Sequence, residues 1–207
     1  MTLTPLSQTI VTLDLEGVLV REIWIAVAER TGIEALRRTT RDEPDYDVLM
    51  RQRLAVLDDH GLKLHDISEV IATLEPLPGA VAFMQQLRSL TQVVILSDTF
   101  EQFARPLMAQ LSWPTIMCHR LIVDATDRIR GYELRQQDQK RRAVEAFQQL
   151  NYRVIAAGDS YNDTSMLAQA DAGFLFHAPA NVKAEFPDFS ATDDYDELLE
   201  LIFGAPS

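Results

Sequence analysis

The chain has 207 residues, 47% of them hydrophobic and 24% charged, with a formal net charge of −12. That balance argues against nucleic acid or an anionic membrane as the main partner, since both reward a basic face, and a lone cysteine, Cys118, excludes an intrachain disulfide or a cysteine-cluster metal site. No apolar run approaches a membrane span and the first residues lack the pattern of a secretory signal, so a cytoplasmic location is expected.

The stretch Thr9 to Val20 opens the ordered pattern. Ile10, Val11 and Leu13, with β-branched neighbours, read as a strand buried on both faces that runs into Asp14 and Glu16. Glu22 to Arg30 then reads as a helix ended near Gly32, and the polar segment Thr39 to Asp47, with Pro44, as a connection. Tyr46, Leu49, Met50, Leu54 and Leu57 follow a helical stripe that also holds Arg53. A guanidinium on an apolar face either snorkels to the edge or faces a pocket and holds an anion. Asp66 and Glu69 have the form of a capping box ahead of Ile67, Val70, Ile71 and Leu74.

After Pro76, Pro78 and Gly79, helix and strand alternate as in doubly wound folds. A helix with Ala80, Phe83, Met84 and Leu87 inward leads to a strand at Gln92 to Leu96, ending in Ser97-Asp98-Thr99. The next helix buries Phe100, Phe103, Ala104, Leu107, Met108 and Leu111. Ile116 to Leu134 reads as a hairpin around Asp124-Ala125-Thr126-Asp127. A helix with Lys140, Arg141 and Arg142 in its first turn follows. Arg153 to Ala157 is a third buried strand, ending in Gly158-Asp159-Ser160-Tyr161-Asn162-Asp163. Gly173 to Phe176 is a short fourth strand, Pro179 suits a helix first turn, and Tyr195 to Phe203 is a last amphipathic helix.

Three strands therefore end in acid. If they lie side by side, Asp14, Glu16, Asp98, Asp159 and Asp163 crowd one rim, where each pair repels by several kcal/mol at an effective dielectric of about 20. A cation is needed to hold them, and an all-oxygen set points to a hard ion, Mg²⁺ above others. A deprotonated Asp14 can attack phosphorus, and Glu16, kept protonated by the crowded charge, can give its proton to the departing alkoxide. The four histidines show no paired metal spacing; His177, after the fourth strand, is a candidate for the border of the site.

Asp14-Leu15-Glu16-Gly17-Val18, Ser97-Asp98-Thr99, Lys140 and Gly158-Asp159-Ser160-Tyr161-Asn162-Asp163 together resemble the motifs of the haloacid dehalogenase superfamily, in order and spacing over nearly the whole chain. Within it the chain is most similar to the phosphoserine phosphatase branch. Glu16, where that branch commonly has Asp, and Ser97-Asp98-Thr99, where it commonly has Ser-Gly-Gly, resemble the group that also passes the phosphoryl group to homoserine. The resemblance implies an α/β fold: a doubly wound, mainly parallel, Rossmann-like sheet formed by residues 1–21 and 76–207, with a small helical cap, 22–75, inserted after the first strand.

It also implies site roles. Asp14 would be nucleophile and Mg²⁺ ligand, Glu16 general acid/base and a ligand through its carbonyl, and Asp159 the other carboxylate ligand, with Asp163 supporting them. Ser97, the Asp98 backbone and Lys140 would hold phosphoryl oxygens, with Asn162 near them. Arg53 and Glu22 would pair with the carboxylate and amino group of a phosphorylated amino acid, although Glu22 sits one residue short of the usual offset. Other readings remain open: a phosphatase of the same fold for another small phosphomonoester, a dehalogenase, or a receiver-like module that stores the phosphoryl group. Homo-oligomerisation is left open as well.

Overall fold

The five residues of β1, Thr9–Leu13, are all buried, because parallel strands bracket them on both sides. β1 pairs with β2, Gln92–Phe100, and with β5, Arg153–Gly158, both in parallel. The structure, a computed structural model, describes residue 6 and residues 8–39, 42–43 and 45–205. Pro44, assigned above to a connection, lies outside the described residues, as do Thr40 and Arg41.

Between β1 and β2 the chain is helical: α1, Ile23–Thr31; a 3-10 turn, Glu34–Arg37; α2, Tyr46–Asp59; α3, Leu64–Ala72; and α4, Ala80–Leu90. After β2 come α5, Glu101–Gln110, the hairpin β3, Thr115–Val123, with β4, Ile129–Glu133, and then α6, Gln139–Gln149. Beyond β5 lie a 3-10 turn, Tyr161–Asp163, then α7, Thr164–Gln169; β6, Ala172–Phe176; α8, Ala180–Glu185; β7, Ser190–Thr192; and α9, Tyr195–Gly204. The seven strands form one sheet in the order β4-β3-β2-β1-β5-β6-β7, parallel except where β4 runs against β3.

Alternation along the central strands feeds two cores, as a period of two requires. Val11, Leu13, Ile95, Ile155, Ala157 and Phe176 face one side with α4, α5, α9 and the helical insert. Ile10, Val94, Leu96, Val154, Ala156 and Leu175 face the other, against α6, α7 and α8. Each fully buried aliphatic side chain contributes about 1.5–3 kcal/mol, so the central strands are fixed in register from both faces. This is the doubly wound sheet expected from the sequence.

The helical insert is tied to the hairpin as well as to the core. Leu64 N donates to Asp127 O at 3.0 Å, and His65 Nδ1 lies 2.7 Å from Asp127 Oδ2. Arg128 pairs with Asp58 at 2.7 Å, and Tyr132 donates to Asp47. Trp24 of α1 packs edge-on against Phe103 of α5, with ring centroids 5.5 Å apart.

Several boundaries differ from the sequence expectation. β2 does not stop at Leu96 but continues through Ser97-Asp98-Thr99 to Phe100, with its register against β3 shifting between Leu96 and Phe100. α5 accordingly starts at Glu101. α3 begins at Leu64, so Asp66 is not the first residue of a capping box but lies in the first turn, where it accepts from Lys63 N at 2.8 Å. Pro179 stands just outside α8, as its N-cap. β7 is not legible in the sequence because it has three residues, two exposed and one buried, too few to show an alternation.

Gly173, at the start of β6, lets the strand pass close to α7: a Cβ built there would lie 2.5 Å from Leu167 O. A backbone oxygen cannot rotate away. Gly173→Ala is therefore expected to destabilise the protein by about 1–3 kcal/mol, measured as a lower urea midpoint with unchanged m-value.

Candidate active site

The sheet ends where its three central strands deliver their acids, as expected for the C-terminal edge of a parallel sheet. β1 stops at Leu13, and the chain then turns sharply instead of remaining extended. Leu15 N donates to Asp14 Oδ1 at 2.7 Å, while Leu19 N and Val20 N both donate to Leu15 O, at 2.8 and 3.0 Å. Gly17 makes this turn possible, with φ +80°, and a Cβ there would lie 2.4 Å from Asp159 Oδ2. The absence of a side chain at Gly17 is what lets the first and fourth motifs touch. From the far side His177 Nδ1 meets Gly17 O at 3.2 Å, and Tyr195 donates to Val18 O at 2.6 Å. His177 thus buttresses the turn from behind and lines neither cavity of the site.

Among the described residues, Asp14, Asp159 and Asp163 each offer a carboxylate oxygen within 4.8 Å of the others, and all three are buried. Lys140 enters this cluster from α6. Its ammonium lies 3.0 Å from Asp14 Oδ1, 2.7 Å from Asp163 Oδ1 and 3.4 Å from Asp98 Oδ2. Burial alone would lower its pKa, but Asp14, Asp163 and Asp98 hold it well above the ordinary lysine range. The residue pattern alone left Lys140, Arg141 and Arg142 open and the family resemblance pointed to Lys140; in the structure Arg141 pairs with Asp138 and Glu145 outside the cluster, and Arg142 is exposed. For Asp14, burial and Asp163 outweigh the Lys140 ammonium and hold the carboxyl well above the ordinary aspartate range.

Asp163 is a support within this group. Its Oδ1 accepts from Lys140, and its Oδ2 accepts from Asp159 N at 3.0 Å and Ser160 N at 3.1 Å. Asp98 is enclosed by donors: Asn162 Nδ2 at 2.9 Å, Gln139 Nε2 at 3.1 Å and Lys140. His119 Nε2 faces its Oδ1 at 3.5 Å. Burial pushes Asp98 up, but Lys140 and the hydrogen bonds from His119, Asn162 and Gln139 outweigh it and hold the carboxyl well below the usual range. Ser97 is buried beside it, its Oγ accepting from Thr99 N at 3.3 Å.

Glu16 faces the helical insert. Its Oε2 accepts from Ile23 N, the first N–H of α1, at 2.8 Å. Burial and the Glu22 carboxylate push its pKa up to about 8, against the pull of the Ile23 N–H and Arg53. Arg53 does not snorkel. It is 7% exposed, its guanidinium lies 4.6 Å over the Trp24 ring, and Nη2 donates to Arg38 O at 2.8 Å. Burial lowers its pKa to about 10, opposed by Glu16, so it stays charged at neutral pH. Tyr46 of α2 reaches across to donate to Asp98 O at 3.1 Å.

These groups enclose a cavity of about 90 Å³, lined by Asp14, Glu16, Glu22, Arg53, Ser97 and Asp159 among others. Tyr46, Asp98, Lys140, Ser160 and Asn162 line both this space and a second cavity of about 460 Å³, whose other walls include His119, Leu134, Gln136, Gln139 and Tyr161. Asp14, Glu16, Glu22, Arg53, Ser97, Asp98, Lys140, Asp159 and Asn162 therefore border one small space, whereas Asp163 and His177 lie behind it. Tyr46, His119 and Gln139 were not singled out for the site: Tyr46 read as part of an apolar stripe, and the other two carry no local motif.

The arrangement joins two buried carboxyls of raised pKa, Asp14 and Glu16, with a buried ammonium, and sets Arg53 and Glu22 in the same lining. It suits transfer of a phosphoryl group from a small zwitterionic ester. Comparison with known proteins agrees with that chemistry. The haloacid dehalogenase-like hydrolase model matches residues 8–171. The chain is 68% identical to phosphoserine phosphatase of Pseudomonas syringae pv. tomato, over 90% of this chain and 78% of that protein. It is 66% identical to phosphoserine phosphatase ThrH of Pseudomonas aeruginosa, over 94% of this chain and 95% of that protein. A substrate-bound phosphoserine phosphatase complex shares the fold with a TM-score of 0.79 at 21% identity, over 94% of this chain and 98% of that one. With the family match spanning Asp14, Asp98, Lys140 and Asp159 alike, the chain belongs to the haloacid dehalogenase-like hydrolase family.

Proposed function

We propose that the protein is a Mg²⁺-dependent phosphoserine phosphatase working through an aspartyl phosphate on Asp14, with homoserine as a second phosphoryl acceptor. The observation that carries this reading is the joint lining of one cavity by Asp14, Glu16, Lys140, Arg53 and Glu22. It is supported by the two relatives named phosphoserine phosphatase at 68% and 66% identity.

In this reading Asp14 attacks phosphorus, and the bond from phosphorus to the serine oxygen breaks. Glu16, protonated below about pH 8, gives its proton to the departing alkoxide. It then takes a proton from water, or from the homoserine hydroxyl, as that acceptor attacks the acyl phosphate and releases Asp14. Lys140, Ser97 and the Asp98 backbone hold the equatorial phosphoryl oxygens, where fixed donors and charge do most of the catalytic work. Arg53 receives the substrate carboxylate and Glu22 its amino group. Asn162 holds the substrate near the phosphoryl group.

An all-carboxylate donor set suits a hard divalent cation. Asp14 and Asp159, with the Glu16 carbonyl, would hold it, since both oxygens of Asp163 already accept from Lys140 and neighbouring N–H groups. Bound Mg²⁺ offsets the negative charge that phosphate adds to this acidic rim. Residues 22–75 act as a cap over a core built from 1–21 and 76–207. The resemblance of Glu16 and Ser97-Asp98-Thr99 to the bifunctional branch supports the homoserine activity. Cys118, buried and free, is consistent with a reducing, cytoplasmic setting.

The deciding assay is purified protein with phosphoserine and Mg²⁺, with and without homoserine, following inorganic phosphate and phosphohomoserine. Phosphate release that stops on chelation is expected, with phosphohomoserine appearing when homoserine is present; absence of phosphoserine turnover overturns the reading. Asp14→Asn should lower kcat by at least about a thousandfold with an unchanged circular dichroism spectrum. Arg53→Ala should instead raise KM for phosphoserine by about 10–100-fold, the scale of a lost charge-assisted contact, while sparing p-nitrophenyl phosphate. The pH profile follows from Glu16: the acid form is present below its pKa and lost above it, so kcat/KM with phosphoserine should fall as pH rises through about 8.

A further inference from the structure

His119 is 4% exposed and Gln139 2% exposed, and neither belongs to a motif read from the sequence. Both are polar, and both spend their hydrogen bonds on the end of β2. Arg135 N donates to His119 Nδ1 at 3.2 Å, which leaves the ring proton on Nε2, the atom that faces Asp98 Oδ1 at 3.5 Å. Gln139 Nε2 donates to Ser97 O at 2.5 Å and to Asp98 Oδ1 at 3.1 Å. Its Oε1 accepts from Arg135 Nη2 at 2.8 Å and Nε at 3.2 Å, which fixes the amide orientation. The other oxygen of Asp98 meets Lys140 and Asn162, at 3.4 and 2.9 Å.

The Asp98 carboxylate is thus a bridge. One oxygen is gripped from β3 and α6, and the other meets two groups that line the cavity with Asp14. We propose that His119 and Gln139 are positioning residues of the reaction, acting through the Asp98 carboxylate to fix Lys140 and Asn162 beside the phosphoryl group. Neither lines the inner cavity that holds Asp14. A misplacement of about 1 Å in such a group is enough to cost on the order of a hundredfold in rate. Asp98 lies within the stretch of β2, between Leu96 and Phe100, where the register against β3 shifts.

The inference rests on the reading of Lys140 and Asn162 given under the proposed function, so its test is kept separable from that one. His119→Met and His119→Gln have side chains of the same length, and only glutamine restores a donor toward Asp98. His119→Met is expected to lower kcat by about tenfold or more, with KM for phosphoserine held within about twofold. His119→Gln should recover most of the loss. In an Asp98→Asn background the His119→Met change should add less than about twofold, because contacts acting through one carboxylate are non-additive.

A wild-type kcat in His119→Met, a fully additive double variant, or a His119→Gln as slow as His119→Met overturns the proposal. Should His119→Met unfold at assay temperature, Gln139→Met decides the matter, since it removes a donor to the same carboxylate from α6; the same kcat loss supports the proposal and unchanged kcat refutes it. If wild-type protein turns over p-nitrophenyl phosphate but not phosphoserine, the substrate assignment fails while these variants, compared on p-nitrophenyl phosphate, still test the positioning role.

Discussion

The architecture of the site depends on one buried ammonium. Lys140 is 2% exposed and lies within 3.4 Å of three carboxylates, on Asp14, Asp98 and Asp163. Without it, acids delivered by three separate strands would face each other across a space with little water. Breaking such a buried pair by removing one partner costs about 3–5 kcal/mol, so the lysine holds the structure as well as the chemistry. It also explains why Asp159 and Asp163 differ: one Asp163 oxygen faces the ammonium and the other turns to backbone N–H groups, whereas Asp159 packs against Gly17.

Much of this was legible in the sequence, because buried strands of a parallel sheet are nearly pure apolar runs and their ends are visible as abrupt changes to acid. Asp14, Asp98 and Asp159 were found that way, and the alternation of helix and strand fixed the class of fold. What remained hidden depends on contacts between distant elements. Lys140 is distinguished from Arg141 and Arg142 only by the rotation of α6 about its axis. Gln139 and His119 reach Asp98 across 41 residues and from a neighbouring strand, and no local pattern foretells either. The turn after Leu13 was also hidden, because Leu15, Val18, Leu19 and Val20 continue the apolar run although the strand has ended; their burial comes from packing under the turn.

The insert meets the sheet through polar contacts made at the site itself. Glu16 caps the start of α1, and Tyr46 of α2 bonds to the Asp98 carbonyl at the end of β2. Away from the site, Asp127 and Arg128 hold the β3–β4 hairpin to α3 and α2. Arg53 belongs to the contacts at the site: its stacking on Trp24 joins α2 to α1 and holds the guanidinium in the cavity lining. The wall that would meet the organic part of a substrate is therefore built from helices whose mutual packing runs through the same residues that would do the binding.

The central place of β1 has a consequence for how the protein is made. Thr12 donates to Ile155 O across 143 residues, and the other neighbour, β2, begins at Gln92. During synthesis the first strand therefore emerges long before either partner, with both hydrogen-bonding edges open, and the acid rim closes only once β5 has left the ribosome. Topologies with such distant pairings fold slowly and expose sticky edges meanwhile; the long helical stretch that follows β1 gives the nascent chain local structure during that wait.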